Sequence, residues 1–251
     1  MMIVDGHIHF NAKFLGKDFK AWENFFTIYN ECEELFYKIT NKEGQPPRKG
    51  ITQYAQTSNK TIVNTFGNGK ISIKTQEDFD LILEALKDTR NRGINLSNIE
   101  EEGINTIEFR MPNGTIDINV IRENIRLFGQ LLSISKQMSN NPDYKKDTFL
   151  TLKNHDLTER EKVECLLELL FDDEQEKSIY RQRWNAVKEN DSFEELKAEV
   201  PTFQRGNYSM REQVSDIYKE TKAIDRINFV RMVKATIYKI KNRNNIDKMQ
   251  R

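Results

Sequence analysis

The chain has 251 residues, of which 37% are hydrophobic and 31% are charged, and its 39 basic side chains balance 39 acidic ones. A chain of this size can bury the core of one large domain or of two small ones. A net charge of zero argues against general binding of nucleic acid over the whole surface. The two cysteines lie far apart and cannot form a thiolate metal site, so we expect neither a disulfide nor a zinc finger.

No stretch of the sequence reaches the roughly 18 to 20 apolar residues that a membrane-spanning helix needs. The first residues also lack the basic segment followed by an apolar segment that marks a signal peptide. We therefore expect a soluble, cytoplasmic protein with no membrane partner.

The beginning of the chain is predicted to contain a strand, a long helix and a hairpin. Residues 3–10 have the pattern of a short β-strand. Apolar residues three or four apart predict a helix over 18–39, with Asp18 as its N-cap. Two short strands over 60–74, turning at Gly67–Gly69, are predicted to form the hairpin.

The next elements complete a mixed order of helices and strands. The sequence predicts a helix over 76–87, a strand over 106–111 and a second long helix that Asp117 caps. Residues 1–137 are therefore predicted to form a domain of the α+β class.

The composition changes after Gln137, where the segment 139–143 is predicted to be a linker. Residues 138–251 are predicted to form an all-helical C-terminal region with five helical segments, two of which begin at the capping boxes Thr158–Glu161 and Ser192–Glu195. The acidic first part and the basic last part of this region are expected to pack on each other. A protein partner on this helical tail is an alternative, and contact with nucleic acid is the less favoured outcome.

Two of the predicted strands carry polar side chains on one face and apolar side chains on the other. Side chains two residues apart leave the same face of a strand, so His7 and His9 project together, as do Glu108 and Arg110. If both faces line one cleft, an imidazole and a carboxylate could hold a divalent cation beside a guanidinium that binds phosphate or carboxylate oxygens. Each pair also has a simpler interpretation, as half-exposed histidines or as a surface ion pair.

Several motifs in the first half of the chain occur together in one known family. They are Gly6–His9, Pro47–Arg48, Arg90–Asn95 and Thr106–Asp117, with a tryptophan-bearing helix after the first of them. In this order they resemble the amidoligase family, which belongs to the wider group of carboxylate–amine ligases with glutamine synthetase and glutamate–cysteine ligase. The resemblance covers residues 1–136, and its most specific part is the last motif.

The resemblance implies a fold and an activity. The fold would be a curved antiparallel sheet with packed helices, as in the catalytic domain of glutamine synthetase, whose concave face holds divalent cations and nucleotide. The activity would be ATP-dependent amide formation, with ATP and Mg²⁺ as cofactors and an amino-acid or peptide-like carboxylate as substrate. The carboxylate would be activated as an acyl phosphate, which an amine then displaces.

The resemblance also implies roles for individual residues. Glu108 and His9 would be metal ligands, and Arg110 and Arg90 would be catalytic through charge stabilisation of the transferring phosphoryl group and orientation of the substrate. The residues implied to contact the nucleotide or to orient phosphate or substrate carboxylate are His7, His9, Arg48, Arg92 and Asn95.

The sequence departs from the family at its start. In the family, a strand with closely spaced glutamates precedes the His-x-His strand and completes the metal site, whereas this sequence starts almost at the His-x-His strand. We therefore expect a truncated form of the fold: a fragment, a chain completed by another chain, or a derivative that has lost the reaction. In the last case the protein would be a non-catalytic binding or inhibitory module.

Overall fold

The computed structural model describes residues 6–42, 55–66, 70–87, 92–99 and 105–187. These residues form a mixed α+β fold of seven α-helices and one three-stranded antiparallel sheet, which confirms the predicted fold class. The elements are β1 (Ile8–Asn11), α1 (Phe19–Ile39), α2 (Asn59–Thr65), α3 (Gln76–Lys87), β2 (Ile94–Asn95), β3 (Thr106–Phe109), α4 (Ile118–Asn140), α5 (Lys146–Leu152), α6 (Glu159–Leu170) and α7 (Glu174–Ala186). Among them, no helix combines the length and the apolar character that a membrane span requires.

Helix α1 forms the centre of the core. Its N-cap is Asp18, as predicted, and the Asp18 carboxylate accepts a hydrogen bond from the backbone N–H of Ala21 at 3.0 Å. The predicted apolar stripe is buried against the sheet and the other helices, with Trp22, Phe25 and Phe36 almost fully inaccessible to solvent. Burial of so many large aromatic side chains is the main stabilising contribution that α1 can make.

The sheet has the strand order β1, β3, β2, and both strand pairs are antiparallel. Its apolar face carries Ile107 and Phe109, both buried. The ring of Phe109 stacks on Phe128 of α4, with 4.0 Å between the ring centroids, and meets the edge of Phe25 of α1. Helices α1 and α4 therefore cover one face of the sheet, and the polar side chains lie on the other face.

The hairpin predicted over 60–74 is wrong, because Asn59–Thr65 is helix α2. The β-branched residues of this segment favoured a strand. In the structure Ile62 is buried in the core, and a side chain of another helix accepts hydrogen bonds from the first N–H groups of α2. The Glu33 carboxylate on α1 accepts hydrogen bonds from the backbone N–H groups of Ser58 and Asn59. These are the groups that a helix N-terminus leaves unpaired, so the tertiary contact overrides the local propensity. The predicted turn at 67–69 lies outside the described residues.

The other predicted elements of the first 137 residues are present with shifted ends. The strands predicted over 3–10 and 106–111 are β1 (Ile8–Asn11) and β3 (Thr106–Phe109), and residues 3–5 lie outside the described residues. Helix α3, strand β3 and the Asp117 N-cap of α4 are confirmed. Helix α4 continues to Asn140 and so includes the start of the predicted linker. Ser139 and Lys136 on this last part of the helix both bind the Asp18 carboxylate, which ties the end of α4 to the start of α1.

The described part of the predicted helical region packs on the first part of the chain. The capping box at Thr158 and Glu161 is present at the start of α6. Arg183 of α7 is buried and donates hydrogen bonds to the Ile39 carbonyl and to the side chain of Asn124. The boundary after residue 137 stays a prediction, and the helices expected beyond 187 lie outside the described residues.

Candidate functional site

The carboxylate of Glu108 lies at the centre of the polar face of the sheet. The register of β1 and β3 places His9 directly opposite Glu108. His7 lies two residues before His9, just ahead of β1, and its side chain also reaches Glu108. The Glu108 Oε1 atom is 2.9 Å from His7 Nδ1 and 3.9 Å from His9 Nε2. The two histidines and the glutamate that the sequence placed on separate strands therefore do meet in one cluster, which we call the His–Glu cluster.

Two neighbouring polar side chains orient the ligands of this cluster. Asn95, which β2 pairs opposite Glu108, donates a 2.6 Å hydrogen bond from its amide to Glu108 Oε2. The Asn95 carbonyl oxygen accepts from the backbone N–H of Ser97. On the other side of the cluster, His9 Nδ1 lies 3.4 Å from the hydroxyl of Thr106. One Glu108 oxygen is thus held by β2 while the other faces the imidazoles.

Arg110 contributes the positive charge that the sequence predicted beside Glu108. Its Nε atom lies 3.7 Å from Glu108 Oε1, and its backbone N–H donates to the Gly93 carbonyl at 2.8 Å. Burial by itself would raise the pKa of Glu108. The hydrogen bonds from His7 and Asn95 and the charge of Arg110 outweigh it and lower that pKa to about 2. The carboxylate is therefore ionised at neutral pH.

The geometry permits one ion to touch three side chains at once. The ligand atoms of His7, His9 and Glu108 all lie within 4.8 Å of one another. The side chain of Glu108 is 7% exposed, whereas those of His7 and His9 are 29% and 46% exposed. The cluster is thus anchored on its carboxylate side and open to solvent on its imidazole side.

A resident Mg²⁺ does not fit this set of donors well. Magnesium prefers oxygen ligands in octahedral geometry and is usually bound by one or two carboxylates together with water and substrate phosphates. The His–Glu cluster offers two imidazole nitrogens and a single carboxylate whose second oxygen is already bound to Asn95. Imidazole nitrogen is a better ligand for transition metals.

The remaining predicted site residues have different locations. The Arg92 guanidinium donates a hydrogen bond to the Thr57 carbonyl at 3.3 Å, on the side of the sheet where α2 begins. Arg48 and Arg90 lie outside the described residues. His155, expected at the surface, is 84% exposed and lies 3.9 Å from the Glu31 carboxylate. That region borders a separate cavity of about 480 Å³ whose lining includes Asn30 and Lys153 and no residue of the His–Glu cluster.

A second buried carboxylate, Glu33, did not appear among the predicted site residues. It accepts hydrogen bonds from the Tyr29 hydroxyl at 2.8 Å and from the N–H groups of Ser58 and Asn59 at 2.7 to 2.8 Å. Burial raises the pKa of Glu33 to about 7, although these donors act to lower it. The sequence does contain a signal for this burial. Glu33 lies one helical turn after Tyr29 and one turn before Phe36, and both aromatic residues belong to the apolar stripe of α1.

Gly93 lets α1 approach the sheet beside the site. A Cβ atom at this position would clash with the hydroxyl of Tyr37 and would lie 3.0 Å from that of Tyr29. The Gly93 N–H donates to the Gln56 carbonyl, and its own carbonyl accepts from Arg110. This glycine therefore connects the backbone of the site to the buried tyrosines of α1.

Comparison with known proteins adds no family to this description. No protein-family model matches the chain, and neither the curated proteins nor the solved structures gave a match.

Proposed function

We propose that the protein is an amidoligase-like enzyme that forms an amide between an amino-acid or peptide-like carboxylate and an amine, using ATP. The observation that carries the proposal is the convergence of His9, Glu108 and Arg110 on the polar face of the sheet, as the family resemblance implies. In this proposal the three strands are part of the curved sheet of the glutamine synthetase-like fold. The enzyme would act in the cytoplasm, where ATP is available.

The proposed reaction has two balanced steps. A carboxylate oxygen of the substrate attacks the γ-phosphorus of ATP, which forms an acyl phosphate and releases ADP. The amine then attacks the acyl carbon, phosphate leaves with the electrons of the broken bond, and the amine loses a proton. Both steps concentrate negative charge on phosphate oxygens, so they depend mainly on positioned positive charge.

The side chains at the site suit this requirement in part. The Arg110 guanidinium would bind oxygens of the transferring phosphoryl group, and His7 and His9 would donate hydrogen bonds to phosphate from the open side of the cluster. Asn95 would hold Glu108 in place rather than orient phosphate itself, because its amide is bound to that carboxylate. Because the cluster does not fit a resident Mg²⁺, the ion in this proposal enters with ATP as part of the Mg-ATP substrate.

A non-catalytic binding protein is the second candidate. It is favoured by the fact that both oxygens of Glu108 already have protein partners, Asn95 on one side and His7 with Arg110 on the other. The start of α4 also exposes three isoleucines, Ile116, Ile118 and Ile125, of which Ile116 is fully exposed. Exposed apolar side chains at neighbouring positions are a common feature of surfaces that bind another protein.

Thermal unfolding of the full chain with Mg-ATP tests the first candidate against the second. A ligand present at about 100 times its dissociation constant should add about 2.7 kcal/mol of stability. We expect a concentration-dependent shift, release of ADP on addition of an amino-acid mixture, and an amide product detectable by mass spectrometry.

The matched pair of variants is Arg110→Met and Arg122→Met. Arg110→Met should reduce ADP release by roughly 100-fold to 1,000-fold, as loss of one charge-stabilising donor does in other enzymes. Arg122 is exposed on α4, so its replacement should leave ADP release unchanged. Absence of both a shift and ADP release at millimolar Mg-ATP would favour the binding protein.

A further inference from the structure

The donor atoms of the His–Glu cluster indicate which cation it would select. Two imidazole nitrogens and one carboxylate oxygen form a set that suits zinc and neighbouring transition metals, whereas magnesium favours oxygen ligands alone. We propose that His7, His9 and Glu108 form a transition-metal site of the zinc class, with a fourth position open to a further ligand. This site goes beyond the ligase proposal and does not depend on it.

The distances in the cluster are close to those that such a metal requires. Zinc binds imidazole nitrogen and carboxylate oxygen at about 2.0 to 2.2 Å in a tetrahedron, so its ligand atoms lie roughly 3.3 Å apart. Glu108 Oε1 lies 2.9 Å from His7 Nδ1 and 3.9 Å from His9 Nε2, and no pair of ligand atoms in the cluster is further apart than 4.8 Å. Binding would require the two exposed imidazoles to rotate toward Glu108 Oε1.

Two of the three ligands, His9 and Glu108, have contacts of the kind expected around a metal site. A metal-binding histidine usually has its other ring nitrogen held by a hydrogen-bond partner, which fixes the tautomer and the ring orientation. His9 Nδ1 lies 3.4 Å from Thr106 Oγ1, which leaves Nε2 directed toward Glu108. The Asn95 amide holds Glu108 Oε2 in the same way, so the ion would bind Oε1 and replace its contact with His7 Nδ1.

The open side of the cluster determines what else can bind there. Three protein ligands and an exposed fourth position are the arrangement of a metal site that exchanges ligands, because closed structural sites use four protein ligands. Arg110 lies beside this position, 3.7 Å from Glu108 Oε1. Its guanidinium favours an anionic fourth ligand, a carboxylate or a phosphate group.

Titration of the metal-free full chain with ZnCl₂, in competition with a chromophoric chelator, tests the site. We expect one zinc per chain, and we expect millimolar Mg²⁺ to leave the bound zinc in place. His9→Ala and His7→Ala should each weaken zinc binding by about 100-fold or more, since each removes a direct ligand. His155→Ala is the matched control, because it removes an exposed histidine outside the cluster and should leave the affinity unchanged.

Two milder variants keep the test decisive if a ligand variant unfolds. Thr106→Val and Asn95→Ala remove only the groups that orient His9 and Glu108, so each should weaken zinc binding by roughly 10-fold to 100-fold. Unchanged affinity in all four cluster variants, or a loss that His155→Ala reproduces, would overturn the site. So would the absence of bound zinc at micromolar protein.

The two proposals can fail separately. Zinc binding that depends on the cluster, without any effect of Mg-ATP, would support the metal site and remove the ligase. A shift with Mg-ATP and ADP release in a chain that binds no zinc would remove the metal site and keep the ligase.

Discussion

Two buried carboxylates of this protein have pKa values that are shifted in opposite directions. Glu108 on β3 is surrounded by Arg110, His7 and Asn95, and its pKa falls to about 2. Glu33 on α1 accepts hydrogen bonds from more donors, the uncharged Tyr29 hydroxyl and two backbone N–H groups, yet its pKa rises to about 7. At Glu108 the hydrogen bonds from His7 and Asn95, together with the charge of Arg110, outweigh the loss of water, whereas at Glu33 the deeper burial outweighs the hydrogen bonds.

The difference separates a carboxylate that lies beside two exposed imidazoles from one that joins two helices. Glu108 is ionised and adjoins two exposed imidazoles, so it can meet a cation from solution. Glu33 joins α1 to the start of α2 and is 1% exposed. The following predictions test this division, beginning with the largest expected effect.

Glu33→Ala should lower the free energy of unfolding by about 4 kcal/mol, because it leaves the Tyr29 hydroxyl and the N–H groups of Ser58 and Asn59 without their buried acceptor. Urea unfolding followed by circular dichroism measures the loss. Glu34→Ala is the control, since Glu34 is exposed on the same helix. Equal and small losses in both variants would show that Glu33 has no structural role.

The stability of the protein should depend on pH through Glu33. The pKa of this carboxyl is about 7 in the folded chain against 4.5 as its ordinary value, so the folded state binds the proton more tightly. The contribution is fully present below about pH 4.5 and is lost as the pH rises through 7. Between about pH 5 and pH 8, the unfolding free energy should fall by about 2 to 3 kcal/mol relative to Glu33→Gln, which cannot titrate. Parallel pH curves for the two proteins would contradict the raised pKa.

Glu108→Gln should have a smaller effect on the metal-free protein, a loss of about 1 to 2 kcal/mol at neutral pH, because Arg110 loses the neighbouring negative charge while the side chain keeps its size and shape. Chemical unfolding measures it. Glu84→Gln, an exposed glutamate of α3, provides the control and should unfold like the native protein. A loss as large as that of Glu33→Ala would mean that Glu108 is mainly structural.

Thr158→Ala should have the smallest effect, about 1 kcal/mol, because it removes an N-cap at an exposed helix end. Its partner Glu161 is a third carboxylate, and the Thr158 hydroxyl and N–H lower its pKa without burial. Thr151→Ala, at an exposed position of α5, should change the midpoint of thermal unfolding less. An equal loss of unfolding free energy in Thr158→Ala and Glu108→Gln would show that burial of the carboxylate does not determine the size of the effect.

Local patterns in the sequence predicted much of the fold. The Asp18 cap, the aromatic stripe of α1 and the capping box of α6 each depend on residues within a few positions of one another, and all three are confirmed. Helix α2 was predicted as a strand because its acceptor, Glu33, belongs to another helix. No spacing within 60–74 could reveal that contact.

The site was predictable in the same way, since patterns within one segment were predicted and contacts between segments were not. Alternation correctly placed His7 with His9 and Glu108 with Arg110, although His7 and Arg110 lie one residue outside β1 and β3. The sequence does not determine the register between the strands. That register, which sets His9 opposite Glu108, follows from packing of the apolar face. Asn95 was assigned to phosphate, and its actual contact with Glu108 required the position of β2.

Gly93 lies between the residues around Glu33 and those around Glu108. Tyr29 binds Glu33 and lies against this glycine, and the glycine carbonyl fixes the backbone of Arg110 beside Glu108. A single methyl group at position 93 would therefore disturb both carboxylates together. Any variant that acts on only one of them must be placed elsewhere.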